Sequence, residues 1–249
     1  MAGSRTTRVT AIVAVAAMLV LFVGATLVQV LGSGNREASP DASPDSDAET
    51  SAAQTPAAGA CDAPPAPPAA PKAFDEVPDR SLAQDATWQA TVTTNCGDIV
   101  VELYGDKAPQ TVSSFLFLAE KGYWDDSPCH RLVPQGIFVL QCGDPTGTGT
   151  GGPGYGFGIE NAPADGSYPR GTLAMARTQD PDSNGSQFFV VFEDTALPTE
   201  GGGYSIFGTV VSGMDIIDLV AAAGVGGAVG PEAPAQPISI LDVSVEKAA

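Results

Sequence analysis

Residues 9–31 read VTAIVAVAAMLVLFVGATLVQVL, twenty-three residues with no charge and only Thr10, Thr26 and Gln29 polar. A helix apolar around its whole circumference does not sit on the surface of a water-soluble fold. At the usual helical rise the run is about 35 Å long, enough for a ~30 Å hydrocarbon core. Arg5, Arg8 and the N-terminal amine precede it, and Arg36 is the lone early cation after it. That asymmetry predicts residues 1–8 in the cytoplasm, a transmembrane signal-anchor helix over 9–32, and the rest of a single-pass cell-membrane protein outside the cytoplasm. A cleaved signal peptide is the competing reading. Against it stand the length of the apolar core and the lack of an A-x-A site after it.

Composition changes abruptly at residue 33. Residues 33–87 hold nine Pro, ten acidic and three basic residues, and almost no large aliphatic or aromatic side chains before Phe74 and Val77. Such a segment buries too little apolar area to offset the entropy of ordering it, so a disordered acidic linker is expected here. Residues 88–249 are then the folded domain.

Within that domain, WQATVTT (88–94) and DIVVELY (98–104) alternate in the manner of strands, and Asn95-Cys96-Gly97 joins them as a hairpin. Ala108-Pro109 opens a helix whose apolar face is Val112, Phe115, Leu116 and Ala119, with Gly122 as its stop. A second helix fits Met214–Ala223, closed by Gly224. Further strand candidates are 130–133, 137–141, 171–176, 187–192, 206–211 and 238–245. Eight strands and two helices argue for a mainly β domain, a closed barrel.

Charge and motifs exclude several functions. Lys and Arg number 11 against 29 Asp and Glu, a net charge of −18. Nucleic acid is an unsuitable partner for such a chain, since phosphate binding needs Lys and Arg. His130 is the only histidine, which speaks against a His-ligated metal site. Gly147-x-Gly149-x-x-Gly152 has the form of a dinucleotide fingerprint, but Pro153 and more glycines follow, so no helix can start there. A turn-rich surface loop is expected instead. There is no G-x-S-x-G for a serine hydrolase, and His130, between Cys129 and Arg131, reads as a structural hydrogen-bonder.

Cys61, Cys96, Cys129 and Cys142 form no CxxC. Outside the cytoplasm disulfides are the default, with free buried thiols as the alternative. A turn centred between Gln135 and Gly136 sets Cys129 directly opposite Cys142, within bridging distance. Cys61 and Cys96 remain by elimination. A bulge in the hairpin shifts this register by one.

Residues 129–158 read CHRLVPQGIFVLQCGDPTGTGTGGPGYGFG, and residues 172–189 read TLAMARTQDPDSNGSQFF. With ELYGDKAPQTVSSF (102–115) and YSIFGTVVSGMDIID (204–218), these resemble the cyclophilin family of peptidyl-prolyl cis/trans isomerases. The resemblance covers nearly all of 88–249. It implies an eight-stranded antiparallel closed β-barrel capped by two α-helices, proline-containing polypeptides as substrates, no cofactor, no metal, and a monomer. It implies catalytic roles for Arg131 and Gln141, and substrate binding by Phe138, Val139, Ala176, Arg177, Gln187, Phe189, Leu197 and Tyr204. Arg177 stands where the family has Asn and is expected to act largely through its backbone. Ala196 falls near the family's Trp.

Isomerising an X-Pro bond cleaves nothing, so it needs no nucleophile or redox centre. It needs a donor fixed beside a twisted amide and an apolar seat for the proline ring. Phe138 and Gln141 lie three residues apart, so in a regular strand they face opposite sides. Both line one site only if a bulge lies between them. The alternative function is a proline-peptide binding module or holdase with little turnover.

Overall fold

The structure, a computed structural model, describes residues 61–248. The expected cytoplasmic terminus, anchor helix and first half of the linker lie outside those residues. Among the described residues no helix is long and apolar enough to cross a membrane.

Alternation builds the first hairpin. β1 (Thr87–Thr94) buries Ala90, Val92 and Thr94, and β2 (Gly97–Tyr104) buries Ile99, Val101 and Leu103. α1 (Pro109–Glu120) follows, with Pro109 in its first turn. Then come β3 (Ser127–Pro128), β4 (Arg131–Gln135), β5 (Ile137–Cys142), β6 (Ser167–Tyr168), β7 (Thr172–Met175), β8 (Phe188–Val191), β9 (Thr195–Ala196), β10 (Ile206–Ser212), α2 (Met214–Ala223) and β11 (Ser239–Lys247). Nine strands form one antiparallel sheet in the order β3-β11-β1-β2-β10-β7-β8-β5-β4, and β6 pairs with β9 apart from it. α1 packs against β11 and β2, α2 against β2.

The mainly β class with two helices stands, but the closed eight-stranded barrel is corrected to a curled, open half-barrel of nine strands. The ladder does not close because the chain leaves it at Cys129-His130, which splits one stretch into two edge strands with different neighbours. β3 pairs with β11, while β4 pairs with β5.

The linker expected to be disordered over 33–87 is corrected at its far end. Residues 61–86 lie along the domain as a strap. The Asp62 amide donates to the Asn95 carbonyl at 2.8 Å, and the Phe74 amide to that of Pro153 at 2.8 Å. The Phe74 ring meets Phe117 edge-on at 4.8 Å. A 3-10 turn, Arg80–Ala83, closes over α1, where Ser113 Oγ donates to the Arg80 carbonyl at 2.7 Å and accepts from the Ala83 amide at 3.0 Å. α1 is therefore buried on more than its sheet-facing stripe. Its first turn has no local cap; Glu160 supplies one from afar, accepting from the Gln110 and Thr111 amides at 3.1 and 2.8 Å.

Both expected disulfides are present, Cys61–Cys96 and Cys129–Cys142. The register behind the second is corrected by one residue. Gly136 alone, at φ +80°, turns the chain between Gln135 and Ile137, so Arg131 opposes Gln141 and Cys129 lies beyond the strand. Its amide donates instead to the Ile238 carbonyl at 2.9 Å.

Candidate active site

Strand parity assembles the site. Arg131 on β4 opposes Gln141 on β5, Gln141 opposes Phe189 on β8, and Phe189 opposes Ala174 on β7. These four residues make one row across the sheet, with their side chains on the same face. The next row is Val133, Val139 and Val191. A second apolar cluster forms on this face from Val139, Tyr168, Ala174, Phe189, Val191 and Leu197.

Over that cluster lies a cleft of about 330 Å³, lined by Ile137, Val139, Phe189, Leu197, Pro198 and Tyr204, with Arg131, Gln141, Ala176 and Arg177 at its polar side. The β6–β9 ribbon delivers Leu197 and Pro198, and the Leu197 amide is tied to the Gly166 carbonyl at 2.9 Å. Tyr204 is held through its backbone: its amide donates to Tyr168 Oη at 2.9 Å, and that hydroxyl donates to the Tyr204 carbonyl at 3.0 Å. Its ring meets Phe189 edge-on at 5.7 Å.

Phe138 is not brought to the cleft. β5 pairs regularly with β4 from Arg131–Gln141 to Gln135–Ile137, without a bulge, so Phe138 points to the opposite face. There it joins the main core and meets Phe192 at 5.9 Å. Ile137, with the parity of Val139 and Gln141, takes the place expected of it. The alternation itself held that signal. Every other expected cleft residue borders this cleft except Gln187, which lines the adjoining one.

A hydrogen-bonded relay orients the polar side. Gln187 Nε2 donates to the carbonyls of Gly149 and Gly151 at 3.1 and 2.8 Å. Carbonyls only accept, so the Gln187 amide has one possible orientation and its Oε1 accepts from Gln141 Nε2 at 2.9 Å. Gln141 Oε1 is then left facing Arg131, whose Nη1 donates to it at 3.3 Å. Arg131 Nε donates to Glu232 at 3.0 Å. Glu232 comes from a loop 101 residues away, and no local pattern in the sequence marked it.

The glycine-rich loop at 143–158 serves this relay and starts no helix. Asp144, fully buried, accepts from the Thr146 and Gly151 amides at 2.8 and 3.0 Å. A Cβ at Gly151 would stand 2.1 Å from Asp144 Oδ1, so only glycine fits. Burial works to raise the Asp144 pKa, but hydrogen bonds from Thr146, Gly151 and Gly149 outweigh it and hold the carboxyl below its usual value.

His130 is corrected as a hydrogen-bonder. It is 9% exposed, and neither ring nitrogen has a hydrogen-bond partner among the described residues. Burial lowers its pKa, opposed by Asp144 and assisted by Arg131, so the ring is neutral at pH 7. It borders a third cleft, of about 350 Å³, beside Arg131 and Glu232. Arg177 is likewise more than a backbone. Its Nε donates to the Gly203 carbonyl at 2.8 Å, Nη1 to that of Thr178 at 2.9 Å and Nη2 to that of Glu200 at 3.2 Å. Its guanidinium lies 5.0 Å over the Tyr204 ring. Asn184, in a glycosylation-like tripeptide, is fully buried and donates to the Phe157 carbonyl at 3.0 Å.

Comparison with known proteins converges on one family. The family model described as cyclophilin type peptidyl-prolyl cis-trans isomerase matches residues 89–245. A probable peptidyl-prolyl cis-trans isomerase B of Mycobacterium tuberculosis is 36% identical over 171 residues, covering 63% of this chain and 54% of that protein. Peptidyl-prolyl cis-trans isomerase B of Escherichia coli is 34% identical over 165 residues, covering 63% of this chain and 99% of that protein. The chain thus spans little more than half the length of its mycobacterial relative. A Cryptosporidium parvum cyclophilin crystal structure superposes with a TM-score of 0.56 at 31% identity, covering 66% of this chain and 99% of that one. A second structure of that cyclophilin, solved in the presence of the dipeptide Ala-Pro, gives 0.55 at 32% identity, covering 64% and 98%. The chain belongs to the cyclophilin-type peptidyl-prolyl cis-trans isomerases.

Proposed function

We propose that the protein is a peptidyl-prolyl cis/trans isomerase that accelerates folding of polypeptides outside the cytoplasm, tethered to the membrane through residues 9–32. The observation that carries this reading is the row Arg131–Gln141–Phe189–Ala174, which sets an oriented guanidinium at the mouth of an apolar cleft. Val139, Phe189, Leu197 and Tyr204 seat the proline ring. Arg131 donates to the amide nitrogen as the bond twists and its lone pair returns, while Gln141 holds a flanking carbonyl. This favours a state that the planar ground state does not present. Bringing an isomerisation of ~30 s to ~10 ms needs roughly 5 kcal/mol, within reach of one charged donor in a water-poor cleft. The reaction asks for no cofactor. All the cleft walls come from one chain, so a monomer suffices. Presence of Ala-Pro in a related cyclophilin structure supports the substrate class.

The test is a proline-isomerisation assay on the full chain in detergent, wild type against Arg131→Ala, after matched far-UV CD and melting. The variant is expected to lose one to three decades of kcat/KM, about 1.4–4 kcal/mol. Equal rates would refute the site. A wild type without turnover that still binds proline peptides would make the domain a binding module.

A further inference from the structure

Glu232 is held beside Arg131 twice. Its carbonyl accepts from the Leu132 amide at 2.7 Å, and its carboxylate accepts from Arg131 Nε at 3.0 Å. The loop carrying it is fixed by bonds that do not involve the Glu232 side chain. The Ala233 carbonyl accepts from the Gly226 and Gly227 amides at 2.9 and 3.1 Å, and the Ala235 amide donates to the Gly224 carbonyl at 2.8 Å. Truncating the Glu232 side chain leaves all of these in place. The ion pair also adds little to stability, because 37% of the Arg131 side chain and 70% of the Glu232 side chain are exposed.

A guanidinium is a rigid planar fork, and two acceptors on different nitrogens fix its plane. Gln141 accepts from Nη1 at the long distance of 3.3 Å, so Glu232 on Nε is the firmer hold. Nη2 has no hydrogen-bond partner among the described residues. A donor that is already aimed needs no reorganisation when charge develops in front of it.

We propose that Glu232 is a positioning residue, which fixes the Arg131 guanidinium so that Nη2 is presented to the twisting X-Pro amide. The inference rests on the isomerase reading above. It places the effect of Glu232 on kcat, since the apolar cleft that seats the ring does not include it.

Glu232→Ala in the full chain is expected to lower kcat about two- to fivefold with KM nearly constant. Glu232→Gln, which keeps an acceptor for Nε, recovers most of that loss. In an Arg131→Ala background Glu232→Ala adds nothing, because there is no guanidinium left to hold. The Arg131 Nε–Hε proton, assigned in ¹⁵N NMR by its absence from Arg131→Ala, exchanges with water faster in Glu232→Ala than in wild type. Wild-type kcat in Glu232→Ala, an equal loss in the Arg131→Ala background, or unchanged Hε exchange each overturns the proposal. If wild type does not isomerise at all, the isomerase reading fails instead, and with it this role.

Discussion

Replacing Arg177 by Asn, the residue expected from the family resemblance, is not neutral in this structure. Arg177 follows β7 and reaches across the cleft rim to Glu200 and Gly203. That rim contains Gly201, Gly202 and Gly203 at φ +73°, +99° and +74°, so it has much conformational freedom to regain once released. Asn is too short to reach both carbonyls. The loss comprises two or three partly exposed charge-assisted hydrogen bonds and one stacking contact on Tyr204, together about 2 kcal/mol. That shifts the ordered-to-loose balance of the rim by up to about thirtyfold. Tyr204 lines the cleft proposed to seat the proline ring, so on that reading a looser rim lowers the fraction of molecules competent to bind. KM should rise by about three- to thirtyfold while kcat, assigned to Arg131 in the proposed function, stays within about twofold. Arg177→Lys keeps the charge but not the fork and should fall between. The assay is steady-state isomerisation of an X-Pro peptide with kcat and KM resolved separately. An Arg177→Asn protein with wild-type KM, or with its whole loss in kcat, refutes the reasoning.

Two further outcomes concern stability. Cys61→Ala with Cys96→Ala opens a closure of 35 residues, worth about 3.8 kcal/mol in the chain-entropy account, and should lower Tm by about 8–15 °C in calorimetry; a shift below ~2 °C would show that the strap constrains nothing. His130 has a folded pKa below its unfolded value of ~6.5, so folding is favoured fully above that pH and progressively less as pH falls toward the folded value. Urea unfolding at pH 7.5 and 5.5 should show that decline in wild type and a smaller one in His130→Gln; an equal decline in both assigns it elsewhere.

What the sequence made legible follows from how local each cause is. The β1–β2 hairpin reads from period-two alternation, and α2 has the expected limits, Met214–Ala223, because Gly213 and Gly224 flank it. Alternation also held the parity that removes Phe138 from the cleft and admits Ile137. Whether a bulge cancels that parity depends on a partner strand, which periodicity does not contain. The opening of the ladder at Cys129-His130 depends on two different neighbours for β3 and β4, and Glu232 reaches Arg131 through a loop whose only marks are glycines and prolines. The order of the strap was hidden for a different reason. Its composition lacks the apolar area to fold alone, and it acquires order from a disulfide, one aromatic ring and carbonyls belonging to the domain.

The strap also bears on where the working unit begins. The family match starts at residue 89, yet α1 is covered from outside by residues 74–83. Phe74 shields Phe117, and Lys72 Nζ donates to the carbonyls of Lys121 and Gly122 just past the end of α1. Farther along, Pro64, Pro65 and Pro67 face Ala228, Val229 and Ala233 across a small apolar cleft. Those three residues flank Glu232 in the loop that touches Arg131. The chain from Cys61 is thus pinned at Cys96 and runs behind the loop that holds Glu232 against the guanidinium. A fragment cut at the family boundary keeps the row Arg131–Gln141–Phe189–Ala174 but loses the cover of α1 and the backing of that loop. The residues that read as linker are, from Cys61 onward, part of the folded unit.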